Sequence, residues 1–409
     1  MSVIIVGGGI GGLSLALALF KAGVPCHVYE AAADIKPLGV GLNLLPHAVT
    51  ELGKLGLLDQ LLSLGVETRD VSLFTAHGQL VHREERGRHA GYQAPQISMH
   101  RGDLHMTLLQ AVIDRLGEEA VHLGHRCVSA DQDATSATAH FVTPDNRTVS
   151  ARGSAVIGCD GIHSVIRKQM HPNEAGYRFH GTVQYRGVTV SQPFLTGRSM
   201  AYVGTPDTGK LVVYPIRENV DAQGRQLINW VVEVTREDCG VRDWNRRASY
   251  EDFIGLMAGW TFDWLDIPSM IRNASSIYEY PVVDQDPLPA WTDRRITLLG
   301  DAAHPMLPRG SNGAAQAIID GNTLAQLLAG GADPVQALKT YEEKRLPATA
   351  RIVLTNREQA PDAILGVVER RTNGQPFAKL DDVISQEEIA RWQESYKAIA
   401  GFSIAQLPK

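Results

Sequence analysis

Gly7-Gly8-Gly9-Ile10-Gly11-Gly12 follows the apolar run Val3-Ile4-Ile5-Val6 and precedes a long apolar stretch. A strand, a glycine turn and a helix in that order can hold a dinucleotide. Gly7 permits the tight turn, Gly9 lets the backbone approach a pyrophosphate, and Gly12 lets the helix pack against the strand. The helix start, with unpaired N–H groups and the positive end of its dipole, would hold the phosphates. Glu30 stands eighteen residues past Gly12 and closes the next apolar run, Cys26-His27-Val28-Tyr29. A carboxylate there accepts from ribose hydroxyls and repels a 2′-phosphate, which favours FAD or NAD over NADP. A glycine turn in an ordinary doubly wound sheet is the competing account. No acid–base pair, nucleophile or metal site stands out. The four cysteines, Cys26, Cys127, Cys159 and Cys239, form neither C-x-x-C nor a Cys/His metal spacing. They read as reduced cytosolic thiols.

Positioning these residues takes a large scaffold. At 409 residues, with 44% hydrophobic residues and 39 glycines, the chain suits two or three domains, or one α/β body carrying an insertion. A formal charge of −6, spread along the chain, argues against a nucleic-acid partner. The apolar N-terminus lacks a basic n-region and is broken by five glycines between positions 7 and 12, so it reads as buried strand and helix. No run reaches the roughly 18 apolar residues of a membrane span. A soluble, cytoplasmic protein, monomer or homodimer, is expected.

Residues 13–22 are apolar on nearly every face, as a helix against a parallel sheet should be, and Gly23 is its C-cap. Residues 71–84 alternate as a hairpin around His77-Gly78, a helix runs to about 116, and 121–149 reads as a β-meander. Short β-type runs at 182–190, 198–203, 210–214, 227–234 and 276–280 predict a mostly antiparallel sheet, with a helical insertion near 250–259. A buried parallel strand returns at Ile296-Thr297-Leu298-Leu299-Gly300-Asp301, and a long helix follows from about Gly313. Another helix starts at Asp333-Pro334 and runs to about Arg357, with a kink or break expected at Pro347. The expected fold is α/β: a discontinuous Rossmann-like domain of residues 1–70, 100–178 and 282–357, a β-rich unit of 71–99 and 179–281, and a helical segment of 358–409. A small substrate is expected in the cleft between the first two.

Three separated segments fit together. They are the glycine run with Glu30, then Gly158-Cys159-Asp160-Gly161 with Arg167, then Gly300-Asp301-Ala302-Ala303-His304-Pro305 continuing Pro308-Arg309-Gly310-Ser311-Asn312-Gly313-Ala314. In this order and spacing the chain resembles the single-component FAD-dependent aromatic hydroxylases, the p-hydroxybenzoate and salicylate hydroxylase family, from residue 3 to about 357. Pro37-Leu38-Gly39-Val40-Gly41, His100-Arg101-Gly102, Asn229-Trp230, Asp243-Trp244-Asn245 and the run Gly310 to Ala314 are similar to its phenazine-carboxylate monooxygenase branch.

The resemblance, with a glutathione-reductase-type FAD-binding domain, implies roles for particular residues. Asp301 would hold the ribityl chain of FAD, and Gly41 and Arg101 would lie along the cofactor. Gly310, Asn312, Gly313 and Ala314 would open a helix whose N–H groups face the pyrimidine end of the flavin and stabilise the reduced ring's negative charge. Asp160 and Gly161, with Arg167, would serve both FAD and nicotinamide. Plainer alternatives are an Asp301 that caps its own turn, a solvated Arg101 and an ordinary surface Arg167. His163 and His304 read as hydrogen-bonded structural residues.

The implied reaction is reduction of FAD by NADH or NADPH, addition of dioxygen to the flavin 4a carbon as a hydroperoxide, and transfer of the distal oxygen to a planar aromatic or heteroaromatic, carboxylated small molecule. The cofactor carries the hard chemistry while the protein orients the substrate and excludes water. A transient nicotinamide fits the absence of a second G-x-G-x-x-G, and the sequence leaves open which one is used. Substrate-pocket candidates are Tyr185, Arg186, Tyr214 and Trp230 on the inserted strands, with Pro305 and Arg309 in the loop above the flavin, which Pro305 and Pro308 shape by fixing φ. Aromatic rings offer flat apolar walls, and Arg186 is suited to a carboxylate. Sheet core is the alternative for the aromatic residues and a surface salt bridge for Arg186. Arg309 either reaches an anionic substrate or points to water, and it stands where related branches carry an apolar, aromatic or small residue. An FAD-dependent dehydrogenase, reductase or halogenase, or a non-catalytic flavin-binding sensor, would share the fold; the halogenase signature Trp-x-Trp-x-Ile-Pro is absent.

Overall fold

The structure, a computed structural model, describes residues 1–36, 39–237 and 246–406. Pro37-Leu38, Cys239 and Asp243-Trp244-Asn245 lie outside the described residues. One sheet runs in the order Thr292–Asp293, Ile296–Leu298, Ala155–Gly158, Val3–Val6, Cys26–Tyr29, Val121–His122. Every ladder in it is parallel except that of the short Thr292–Asp293 strand. Val3–Val6 and Ala155–Gly158 are buried along their whole length, which is why they read as unbroken apolar runs. The helices Ile10–Lys21 and Gly313–Leu328 pack together beside this sheet, close enough that a Cβ on Gly321 would sit 3.1 Å from the Leu15 backbone.

A second sheet has seven strands in the order Ile277–Asp284, Arg178–Ser191, Gln226–Thr235, Gly209–Arg217, Ser199–Thr205, Asp70–Phe74, Leu80–Glu85. Ser199–Thr205 and Asp70–Phe74 pair in parallel, and the other ladders are antiparallel. Its two faces do different work. Tyr185, Leu211, Trp230 and Val232 turn to one side, against Phe253, Met257, Trp260 and Ile267. Gln184, Arg186, Lys210, Tyr214, Asn229 and Glu233 turn to the other, toward the parallel-sheet body. The rest of that second side carries Val71, Leu73, Met200 and Ile216, covered by Ile364, Leu365 and Val368 of helix Ile364–Thr372 and Ile389 of helix Gln386–Ala400.

Two expected elements differ. Near 250–259 the chain forms two 3-10 turns, Tyr250–Asp252 and Ile254–Met257, in place of a helix. The helix Pro334–Glu358 runs unbroken through Pro347. Both halves are anchored by burial, Ala337, Leu338 and Tyr341 before the proline and Thr349, Ile352 and Val353 after it. That packing outweighs the roughly 3 kcal/mol an interior proline costs. No described helix is long and apolar enough to cross a membrane.

Candidate functional site

The glycine run turns tightly before it opens. Gly7 has φ 108°, and a Cβ there would come within 2.4 Å of the Cys159 carbonyl oxygen. A Cβ on Gly12 would lie 2.0 Å from the Gly7 carbonyl oxygen, and one on Gly11 would lie 3.0 Å from the Leu299 side chain. Gly9 caps helix Ile10–Lys21 and has nothing within 4 Å of its Cβ position, so the helix N-terminus faces open space. Beside it, Glu30 accepts from the N–H groups of Gly8 at 2.7 Å and Ala32 at 2.8 Å, which fixes the carboxylate at the end of its strand.

Asp301 follows a left-handed turn at Gly300, φ 62°. Asp320 holds that turn: its Oδ2 accepts from the Gly300 N–H at 3.2 Å and lies 2.6 Å from His304 Nε2, while its Oδ1 accepts from Arg345 Nε at 2.6 Å. Arg167 is 2% exposed, ion-paired to Glu174, and donates to the carbonyls of Ala302 at 3.2 Å and Ala303 at 2.9 Å. It clamps the backbone after Asp301, so the surface-arginine alternative does not hold. Asp160 is tied by its Oδ2 to the Val165 N–H at 2.8 Å, while its buried Oδ1 has no hydrogen-bond partner; burial raises its pKa.

The Asp301 carboxylate is exposed, beside the first residue of the helix that follows. Desolvation by the surrounding protein raises its pKa against the opposing pull of His304 and Arg101. A Cβ on Gly313, the first residue of helix Gly313–Leu328, would meet only Asp301 Oδ1, at 3.9 Å. Gly310 and Ser311, with φ 63° and 57°, turn the chain into that helix, and Ala314 lies in its first turn. Asn312 Nδ2 donates to the Gly310 carbonyl at 3.1 Å and to the Tyr396 hydroxyl at 2.8 Å. Arg101 opens helix Arg101–Leu116, exposed, with its charge felt at Asp301, Arg186 and Tyr280. Two open helix N-termini, an acid near each and an adjacent cation suit a dinucleotide whose second half is a flavin. The residues present fit FAD: Gly9 and Ile10 would meet the pyrophosphate, Glu30 the ribose, Asp301 the ribityl chain and Gly313 the flavin ring.

A polar cavity lies between this groove and the second sheet, lined among others by Gly41, Arg186, Tyr214, Pro308 and Arg309. Gly41 joins the two: its N–H donates to Asn229 Oδ1 at 2.7 Å, and a Cβ there would strike Asn229 at 2.7 Å. Arg186 has no carboxylate partner among the described residues. Its Nε and one terminal nitrogen donate to Gln184 Oε1 at 3.1 and 2.7 Å, and its guanidinium lies 5.5 Å from the Tyr280 ring centroid. Burial lowers its pKa, opposed by the nearby Tyr214, Tyr280 and Glu233. Burial likewise pushes the Tyr214 phenol well up, with the Asn229 and Asn43 amides at its hydroxyl. Glu233 is already shared: Gln184 Nε2 donates to it at 2.8 Å, Arg309 pairs with it at 3.2 Å, and Lys210 lies 3.9 Å away.

Of the expected pocket residues, the structure brings Arg186, Tyr214 and Arg309 together, with the loop residue Pro308 beside them. Tyr185 and Trp230 lie on the opposite face of the sheet, because Tyr185 stands opposite Val232 and Trp230 opposite Gly187, one residue out of phase with Arg186 and Asn229. Tyr185 stacks on Phe253 at 4.4 Å, and Trp230 Nε1 donates to Thr189 at 3.1 Å. Pro305 is buried behind the loop. Sequence reasoning missed Gln184, Lys210, Glu233, Asp362 and Tyr396. Two carried a signal, since Glu233 is the one charge in its strand and Lys210 precedes the apolar run 211–216.

Residues 1–356 match the family model described as FAD binding domain. The chain is 40% identical over 363 residues to a phenazine 1,6-dicarboxylic acid hydroxylase of Lysobacter antibioticus, covering 87% of this chain and 89% of that protein. It is 31% identical over 396 residues to a 3-amino-4-hydroxybenzoate 2-monooxygenase of Streptomyces platensis, covering 93% of this chain and 94% of the relative. Among solved structures, HpxO of Klebsiella pneumoniae complexed with FAD and uric acid superposes with a TM-score of 0.78 at 22% identity, over 98% of this chain and 97% of that one, and shares the fold.

Proposed function

The chain belongs to the FAD binding domain family and is an FAD-dependent aromatic monooxygenase, and we propose that it hydroxylates a planar aromatic or heteroaromatic acid whose carboxylate meets Arg186. Bound FAD supplies the redox chemistry, taking a hydride from NADH or NADPH and activating dioxygen. The chain's own part is placement. Gly9 and Glu30 seat the adenosine half, Asp301 and Gly313 seat the flavin half, and the second sheet closes over the reacting face and keeps water out.

The observation that carries this reading is the unpaired guanidinium of Arg186. A half-buried cation with no carboxylate beside it can take a counter-charge, and Glu233 is already engaged by Arg309 and Gln184. A substrate carboxylate can take two parallel N–H···O bonds from the guanidinium, with the ring lying toward Tyr214. The Lysobacter relative, named for a phenazine dicarboxylic acid, supports a fused-ring acid as the first compound to try. Cytoplasmic residence, as monomer or homodimer, belongs to the same proposal and is supported by the free thiols of Cys26, Cys127 and Cys159.

The test is anaerobic flavin bleaching by NADH and NADPH with and without phenazine 1,6-dicarboxylate, repeated for Arg186→Gln and Arg186→Lys, with labelled dioxygen for the product. Acid-stimulated bleaching and label in the product are expected. Loss of a charge-assisted contact of about 1.5–3 kcal/mol should raise KM for the acid roughly 10- to 150-fold in Arg186→Gln. An unchanged KM in that variant would remove Arg186 from the substrate's path.

A further inference from the structure

Three polar residues stand side by side on adjacent strands: Gln184 opposite Glu233, and Glu233 opposite Lys210. Lys210 then ion-pairs with Asp362, which comes from the turn Pro361–Ala363 after the long helix. Arg309, from the loop above the flavin groove, pairs with Glu233. Lys210, Glu233 and Asp362 are nearly inaccessible, at 5%, 2% and 9% exposure. Lys210, Arg309 and Asp362 line two voids at once. One is the polar cavity that holds Arg186. The other is an outer groove between the turn at Gly204 to Gly209 and the helix Ile364–Thr372. The partition they share is made of side chains, two cations and one carboxylate, with Glu233 behind them on the inner side.

We infer that the outer groove is the route by which the acidic substrate reaches Arg186, and that Lys210 and Arg309 are specificity-determining residues along it. The inference rests on the aromatic-acid reading above. An incoming carboxylate can take the place of Asp362 on Lys210, so the ammonium never loses its counter-ion while Asp362 turns toward water in the groove. A neutral analogue must part the same pair with nothing to replace it, and stripping a buried charge of its partner is costly. Beyond the partition, Arg186 is reached through Gln184, which bonds both it and Glu233. The route therefore discriminates by charge before the ring meets the flavin. Arg309 Nε is buried without an acceptor, which leaves a donor free for the passing anion.

Stopped-flow mixing of the FAD-loaded enzyme with phenazine 1,6-dicarboxylate, followed by the flavin spectrum, tests this in two variants. Ala363→Trp fills the outer groove from a half-exposed position, away from Arg186 and the flavin groove. It should slow association and dissociation together by about tenfold or more and leave Kd unchanged, the signature of an obstructed path. Lys210→Met should slow association of the acid by about tenfold and erase its advantage over the diamide. FAD content and melting temperature identify any variant that has not folded, and Ala363→Trp leaves the charged side chains of the buried pairs in place. Wild-type rates in Ala363→Trp overturn the route, even with acid-stimulated bleaching intact and the Arg186 reading standing. If the wild-type enzyme binds no aromatic acid at all, both readings fall.

Discussion

Asp301 is the residue on which cofactor retention should turn. Its carboxylate is exposed, so it is free to accept a hydrogen bond from a ribityl hydroxyl. Asp301→Ala should weaken FAD about 10- to 150-fold, by the same roughly 1.5–3 kcal/mol that separates a charge-assisted bond from none. Equilibrium dialysis of the apoprotein against FAD measures it, and affinity unchanged within twofold would assign Asp301 to its turn alone. Asp301 was singled out in the sequence by the family resemblance of the run Gly300 to Pro305, at the end of a buried strand. Arg167 was legible as a position but not in its role. Its bonds to Ala302 and Ala303 join residues 135 and 136 apart along the chain, a contact that local pattern does not encode.

Among the elements, the strands were readable and their faces were not. The strand Gln226–Thr235 is buried on both sides, so the alternation that would separate core from cavity is lost. The aromatic residues Tyr185 and Trp230 therefore looked equivalent to Tyr214, and only the register shows them on opposite sides. The C-terminal helix Gln386–Ala400 was likewise visible as charged sequence without a partner. In the fold its Tyr396 hydroxyl receives Asn312 Nδ2 at 2.8 Å and donates to Asn356 Oδ1 at 2.7 Å, and it sits where a Cβ of Gly310 would be, 1.9 Å away. Tyr396→Phe should cost about 1–3 kcal/mol by leaving both buried amides short of a partner. Urea unfolding reads the loss. Faster hydrogen exchange at residues 310–313, with exchange in Val3–Val6 unchanged, would place it in the flavin loop.

For the molecule as a whole, acid should be the weak side. His47 is buried against Phe402, and burial, with Arg345 adding to it, pushes its pKa down to about 3. The folded state keeps His47 neutral while the unfolded chain takes up a proton below about 6.5, so stability is full above that value and falls as pH drops toward 3. The slope is about 1.4 kcal/mol per pH unit, or about 2 kcal/mol between pH 6.5 and 5. His82 and His122, also lowered by burial, act in the same direction. Denaturant midpoints at pH 7 and 5 should differ by that amount and by measurably less in His47→Gln. An equal drop in both proteins would assign the acid sensitivity to other groups.

The Gly310 loop has a consequence for how the protein is made. Its support comes from Tyr396, almost four hundred residues after the glycine run proposed to receive the phosphates. A ribosome adding about 5–20 residues per second needs roughly 20–80 s to travel between them. Through that interval the emerging chain has a phosphate turn but lacks the brace beneath the flavin loop. FAD capture should accordingly follow translation, and a nascent chain halted before Tyr396 should release the cofactor far faster than the finished one.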